Sequence, residues 1–460
     1  MTKKRRILVV VATFLFALIL VACNGNGETT TDPDPVDDNG NGTTNEVVDT
    51  PPATDEQVEI RFTWWGDTER NERYQAIVDL FVAENPHITV ITEPATWDDY
   101  WTRLSTQTAG GNAPTLFGMH PQFVSDYALR GALLDIEPFV NSGVIDVSEI
   151  DQPVIDSGRV AGNLYQISQG VTFQGFVTNT TLLEEHGVTF PSRAEDWTWD
   201  DFIAQAELFA DSADGDAWFS MDQSGAWIGF RWFQRQVGGD IFTENGELGV
   251  TEERLIEWFE MWNHLRDIGA IPDPATTTED GQRPLEQRLL STRGIAMQLF
   301  PANQLHLYQA QREADQFDML RIPTAGAANV QRAEFIEGAY FAIASTATPA
   351  QAEAAAALMS FWVNSEEAID IFMLEQGVPA NNRLSERIMP ALGETQGMAI
   401  EFVNAIMPLA DTAVAPPLGA GEINGIFSLV AEQVSHGVST PEQAAADFVR
   451  QASEVLGRDQ

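Results

Sequence analysis

Cysteine occurs once in the 460 residues, at Cys23, so a disulfide framework within the fold is excluded. Lysine is confined to Lys3 and Lys4; every later cation is an arginine, apart from six scattered histidines that form no metal-ligand spacing. Basic charge is scarce altogether, with 25 Lys and Arg against 68 Asp and Glu and a formal net charge of −43. A field of that sign repels nucleic acid and anionic bilayer surfaces. Arginine keeps its charge at any plausible pH whereas lysine titrates near ~10.4, so this composition suits alkaline or saline surroundings; lineage codon bias yields the same pattern. No G-x-S-x-G, H-E-x-x-H or phosphate-loop pattern occurs. No metal and no cofactor is expected.

The apolar run near the N-terminus is short as well. "ILVVVATFLFALILVA" has 16 residues, fewer than the ~20 that span a bilayer. Behind the cations Lys3 to Arg6 it has the form of an export signal over residues 1–22. It closes on "LVAC", which resembles a bacterial lipobox and implies that Cys23 becomes the diacylated first residue; the alternative is an ordinary thiol. Residues 23–57 hold Gly, Asn, Thr, Asp and Pro with almost nothing to bury, the composition of a disordered acidic tether. Asp34 is followed by Pro35 and Val36, where a calcium loop needs alternating ligands.

About 400 residues remain, more than one core usually serves, so two domains are expected. From residue 58 strands and helices alternate. "EIRFTW" reads as a strand, "RNERYQAIVDLFVAEN" as a helix stopped by Pro86, and "ITVITEP" as a strand. "WDDYWTRLSTQTAGG" is helical with Trp97, Tyr100, Trp101 and Leu104 on one face, and "PTLFGMH" is a third strand. This rhythm predicts a mostly parallel sheet covered on both faces. "LYQISQGVTFQGFVTN" reads as an extended pair of strands, and "WTWDDF" places Thr198 and Asp201 as a capping box. "GIAMQLF" and "AYFAIAS" are further strands, and long helices end the chain.

Within "RFTWWGDTERNERYQAIVDLF" two adjacent tryptophans, Trp64 and Trp65, close a strand just before a helix. Neighbouring strand residues point to opposite faces, and the helix already has its own stripe in Tyr74, Ile77, Val78 and Phe81. One indole is therefore expected in the core and one at the mouth of the strand-to-helix loop, where α/β proteins place ligands.

Taken in order, "WWGD", "RNERYQAIVDLF", "AGGNAPTLFGMHPQF", "ALRGALLDI", "WTWDDF", "GIAMQLF" and "TPEQAAADF" resemble the extracellular solute-binding proteins, family 1, of the maltose-binding-protein group. The resemblance runs from about residue 58 to the C-terminus. It implies a two-lobed α/β fold of the periplasmic-binding-protein type II, each lobe a sheet flanked by helices, joined by hinge strands. The lobes would be residues 58–170 plus 338–393, and 171–337 plus 394–460. Crossings are expected at "GVTF", at "EGAYFAIAS" and around residues 390 to 400.

A sugar offers apolar faces and a rim of hydroxyls, and calls for flat aromatic surfaces and planar polar groups. The resemblance implies that Trp64 or Trp65 stacks on it while Asp67 accepts from hydroxyls; Asp67 equally suits a helix N-cap. His120 and Gln122 follow the third strand, with Pro121 where relatives commonly carry an acid, a departure that argues against maltodextrin. Thr172 and Phe173 lie at the first crossing. Asp222, Gln223 and Trp227 would come from the second lobe, with Trp232 in the core. Phe300 stands where the family usually has an aromatic platform, beside Asn303. Glu337 and Tyr340 either face the cleft or hold the hinge; Glu422 and Phe427 are further candidates. Trp97, Trp101, Trp258, Trp262 and Trp362 sit at helical spacing and are expected in the core.

These features and the resemblance point to a lipid-anchored monomer on the outer face of the cell membrane, which is periplasmic where a second membrane is present. It would capture a carbohydrate and present it to the transmembrane subunits of an ABC permease, without catalysis. The alternatives are a secreted glycoside hydrolase and a binding protein for a non-sugar solute such as a peptide or polyamine.

Overall fold

The computed structural model describes residues 57–191, 196–326, 333–411 and 413–458. The signal, Cys23 and nearly all of the tether lie outside the described residues.

The Val58–Thr63 strand alternates as its sequence demands: Ile60 and Phe62 are buried, while Arg61 reaches Glu93 at 2.7 Å. Asp67 then caps the Thr68–Glu84 helix by accepting from the Arg70 backbone N–H, and Tyr74, Ile77, Val78 and Phe81 turn inward. Val58–Thr63 pairs in parallel with Ile88–Thr92 on one side and Leu116–Met119 on the other. Tyr340–Ile343 joins Leu116–Met119 antiparallel and in turn pairs antiparallel with Gln166–Ser168, completing a five-stranded sheet. Four strands therefore point one way and Tyr340–Ile343 the other.

A second sheet has four strands in the order Phe317–Leu320, Gln174–Asn179, Ile295–Pro301 and Trp218–Ser220. Here Gln174–Asn179 is the reversed strand. Each sheet thus contains one strand of opposite sense, and in each case it arrives from the other sheet. A strand that leaves one sheet at the carboxyl edge and enters the next at its carboxyl edge must run against its new neighbours. The topology accordingly turns the carboxyl ends of both sheets toward the crossings.

At the crossings the backbones touch. Gly170–Val171 pairs antiparallel with Val378–Pro379, and Thr172 bridges Glu337. A side chain at Gly338, where φ is +139°, would place a Cβ 2.2 Å from the Gly170 carbonyl oxygen, so only glycine fits. The Glu394–Ile406 helix packs on Phe317–Leu320 of the second sheet.

The aromatic side chains divide among three apolar clusters. Phe62, Trp64, Tyr74, Phe341 and Trp362 belong to the first, which extends to Val177, Phe317 and Phe402. Trp199, Trp258, Trp262, Phe230 and Phe427 belong to the second. Trp65, Tyr100, Phe117 and Tyr340 form the third, with Trp101 and Phe123 packed on its margin. The expected capping box at Thr198 and Asp201 is present.

Candidate functional site

Where the crossings meet the carboxyl ends of the strands there is a cavity of about 280 Å³. Strand ends from both sheets supply its wall. Trp65, Trp97 and His120 come from the first sheet's loops; Pro301, Asn303 and Gln304 follow Ile295–Pro301; Thr172, Gln174 and Glu337 belong to the crossings. A narrow slot shares His120 and Glu337 with this cavity and adds Gln122, Trp227 and Arg231.

The tryptophan pair splits between two faces. Trp64 is 2 % exposed, packs on Phe62 and Tyr74, and donates its Nε1–H to Asn71 at 2.9 Å. Trp65 is 8 % exposed and lines the cavity, with Trp97 perpendicular to it at 5.1 Å. Trp97 corrects the reading from helical spacing, since it is 40 % exposed rather than core. It is the first residue of the Trp97–Ala109 helix, and a helical side chain tilts toward the N-terminus. With no preceding turn to cover it, the indole projects past the helix end onto the strand termini. Trp101, one turn on, is half-buried against Phe123 at 4.2 Å.

His120 faces Trp97 edge-on at 5.5 Å, and burial pushes its pKa down to about 4, so the ring is neutral near pH 7. Its Nδ1 accepts from the Gln122 backbone N–H at 3.3 Å. Glu337 is 3 % exposed, and burial drives its carboxyl up to about 7, opposed by the hydrogen bond from Gln174 and the charge of Arg231. Its Oε2 accepts from Gln174 Nε2 at 2.9 Å, whereas Oε1 has no hydrogen-bond partner among the described residues. The Thr172 hydroxyl is likewise buried without a partner. Arg70 at the rim is held by Glu375 at 2.7 Å and also donates to the Trp65 carbonyl.

Several anticipated contacts lie elsewhere. Phe173 is fully buried in the first cluster, and Tyr340 is fully buried with its hydroxyl 2.8 Å from Ser157 Oγ. Phe300 points away from the cavity that its neighbour Pro301 lines, as strand alternation requires, and stacks on Tyr308 at 5.1 Å. Asp222 is tied to Arg266 at 2.7 Å and accepts from the Ser224 backbone N–H, a turn-holding role. Gln223 is buried and lines neither the cavity nor the slot. Asp67 serves as the helix cap and borders a smaller recess with Asn303. Phe427 is core, and Glu422 pairs with Arg458 at 2.9 Å. Trp232, Trp258, Trp262 and Trp362 are core, as their spacing predicts.

Sequence reasoning missed Trp97, Gln174, Gln304 and Gln376 in the wall. The position of Trp97 immediately after Thr96, an N-cap residue type, was a usable signal for an uncovered helix start. The glutamines had none.

A family model described as bacterial extracellular solute-binding protein matches residues 76–391. The chain belongs to that family. Its fold is that of solved solute-binding proteins. One is a periplasmic solute-binding protein from Pectobacterium atrosepticum, with 22 % identity, TM-score 0.76, and 87 % of this chain and 99 % of that one covered. Another is a periplasmic oligogalacturonide-binding protein from Yersinia enterocolitica in complex with saturated digalacturonic acid, with 19 % identity, TM-score 0.76 and the same coverage. A third is an ABC substrate-binding protein from Listeria monocytogenes in complex with cycloalternan, with 23 % identity, TM-score 0.72, and 87 % and 100 % covered. Among the described residues of this solute-binding protein, no helix is long and apolar enough to cross a membrane. Nor is any group of three or more His, Cys, Asp or Glu among them placed to hold a metal ion.

Proposed function

We propose that this solute-binding protein captures a carbohydrate in the cavity at the crossings and hands it to the transmembrane subunits of an ABC importer. The observation that carries this reading is the convergence of Trp65 and Trp97 with Glu337, Thr172, Gln174, Asn303 and Gln304 around one cavity. Indole faces suit the C–H surfaces of a pyranose, and amides and hydroxyls suit its rim. Among structural relatives, those complexed with digalacturonic acid and cycloalternan are of the same kind.

In this reading residues 58–170 plus 338–393 and residues 171–337 plus 394–460 act as two lobes. Ligand favours their closure because only the closed form offers contacts from both. Residues 1–22 direct export, Cys23 carries the lipid and residues 23–57 tether a monomer to the outer face of the membrane. A glycoside hydrolase needs two carboxyls about 5–10 Å apart. Glu337 is the one carboxyl among the described residues lining the cavity, which supports binding over hydrolysis.

The test is incubation of the protein with a panel of oligosaccharides, followed by a melting curve and analysis of the recovered sugar. A saturable rise in Tm with intact sugar is expected. Released monosaccharide supports the hydrolase instead, and a panel without effect excludes carbohydrate.

A further inference from the structure

The reading above leaves the charge of the sugar open, and the groups around the cavity bear on it. Two arginines border the cavity or its adjoining slot, and each is already bound to an acid. Arg70 is bound to Glu375, which also draws Arg73 at 3.7 Å, while Glu69 takes Arg73 at 2.8 Å. Arg231 grips Asp240 through two hydrogen bonds of 2.7 and 2.8 Å and donates to the Val414 carbonyl; Asp240 also takes Arg235 at 2.7 Å. On the acidic side, Glu337 reaches both the cavity and the slot with one carboxyl oxygen unpartnered.

We infer that the cavity selects uncharged sugars and rejects uronic acids, with Glu337 as the specificity-determining residue. This rests on the carbohydrate reading. A sugar hydroxyl donates to Glu337 Oε1 in place of the missing partner. Among the described residues, a sugar carboxylate meets only arginines that already hold an acid, and it lies beside the Glu337 carboxyl in a half-enclosed space where solvent screens less than in bulk. Repulsion of this kind excludes a wrong ligand more sharply than an extra attraction favours a right one.

The discrimination depends on pH in one direction. Glu337 gains its charge as pH rises through about 7. The groups facing it hold their state: His120 on the loop after Leu116–Met119 stays neutral down to about 4, and Tyr340 on the same crossing stays protonated up to about 12. Gln174 on the neighbouring strand does not titrate, and Arg231 and Arg70 lie against Asp240 and Glu375. Rejection of uronates therefore strengthens from pH 5.5 to pH 8.5.

The experiment is calorimetric titration of the full chain with matched pairs of trisaccharides, glucose against glucuronate and galactose against galacturonate. At pH 8.5 the neutral member of a binding pair is expected to bind at least about tenfold tighter, a gap that narrows by about tenfold at pH 5.5. Glu337→Gln is expected to close the gap at pH 8.5. Uronates that bind as tightly as neutral sugars at pH 8.5, or a gap indifferent to pH, overturn the inference and leave the carbohydrate reading standing. If no sugar of either kind binds, both fall. The pH arm uses the native protein and decides the matter even where the variant fails to fold.

Discussion

Two regions of this molecule are rich in aromatic rings at similar spacings and use them differently. In the second cluster Trp258 lies against Phe230, Phe233 and Trp262 at 5.2 to 5.8 Å and is closed on every side. Around Trp65, rings stand at similar spacings, yet Trp97 is 40 % exposed and faces a cavity. Ring density does not separate the two. What separates them is position: the first set lies on helices packed face to face, the second at the carboxyl ends of strands, where a helix begins and nothing covers its first turn. Aromatic residues line a cavity, rather than fill a core, when the topology leaves one of their faces without a partner.

Substitutions can break this comparison. Trp258→Ala removes a buried indole together with its hydrogen bond to the Ser224 carbonyl. It is expected to cost about 3–5 kcal/mol of stability in a denaturant titration. A loss below about 1 kcal/mol would make the second cluster as loose as the cleft.

Glu337→Gln sharpens the contrast, because a cavity residue should work against stability where a core residue supports it. The native carboxyl is raised to about 7 by burial. An acid so raised favours the folded state below its unfolded pKa and loses that favour as pH climbs through the folded one. Wild type and Glu337→Gln should therefore be nearly equal in stability at pH 4, with the variant ahead by up to about 3 kcal/mol at pH 8. Paired thermal scans at the two values show whether the difference opens in that direction.

Asp67→Ala carries the smallest effect. Loss of the cap to the Arg70 N–H should cost about 1 kcal/mol and leave sugar affinity within about threefold. A larger affinity loss would place Asp67 among the ligand contacts.

How much of this was legible in the residues follows from the same physics. The alternation of strand and helix, the stripe Tyr74–Ile77–Val78–Phe81 and the Thr198 box obey local rules and appear where the sequence predicts them. The split of Trp64 from Trp65 followed from strand alternation, although which indole faced the cavity did not. Phe300 went astray because one step along a strand inverts a side chain, and the family pattern fixed the neighbourhood without the phase. Trp97 went astray because helical spacing describes a helix's middle and says little about its first residue. Gln174 and Gln304 meet only through the pairing of distant strands, which no local pattern encodes.

The central claim is that the half-exposed Trp97 ring, with Trp65 behind it, is the platform on which the sugar sits. Calorimetric titration of wild type and Trp97→Ala with a neutral oligosaccharide tests this most directly. The account predicts saturable binding by wild type and a loss of about ten- to thirtyfold in the variant, with stability lowered by no more than about 1 kcal/mol. Equal affinity in both proteins, with the variant still folded, would contradict it.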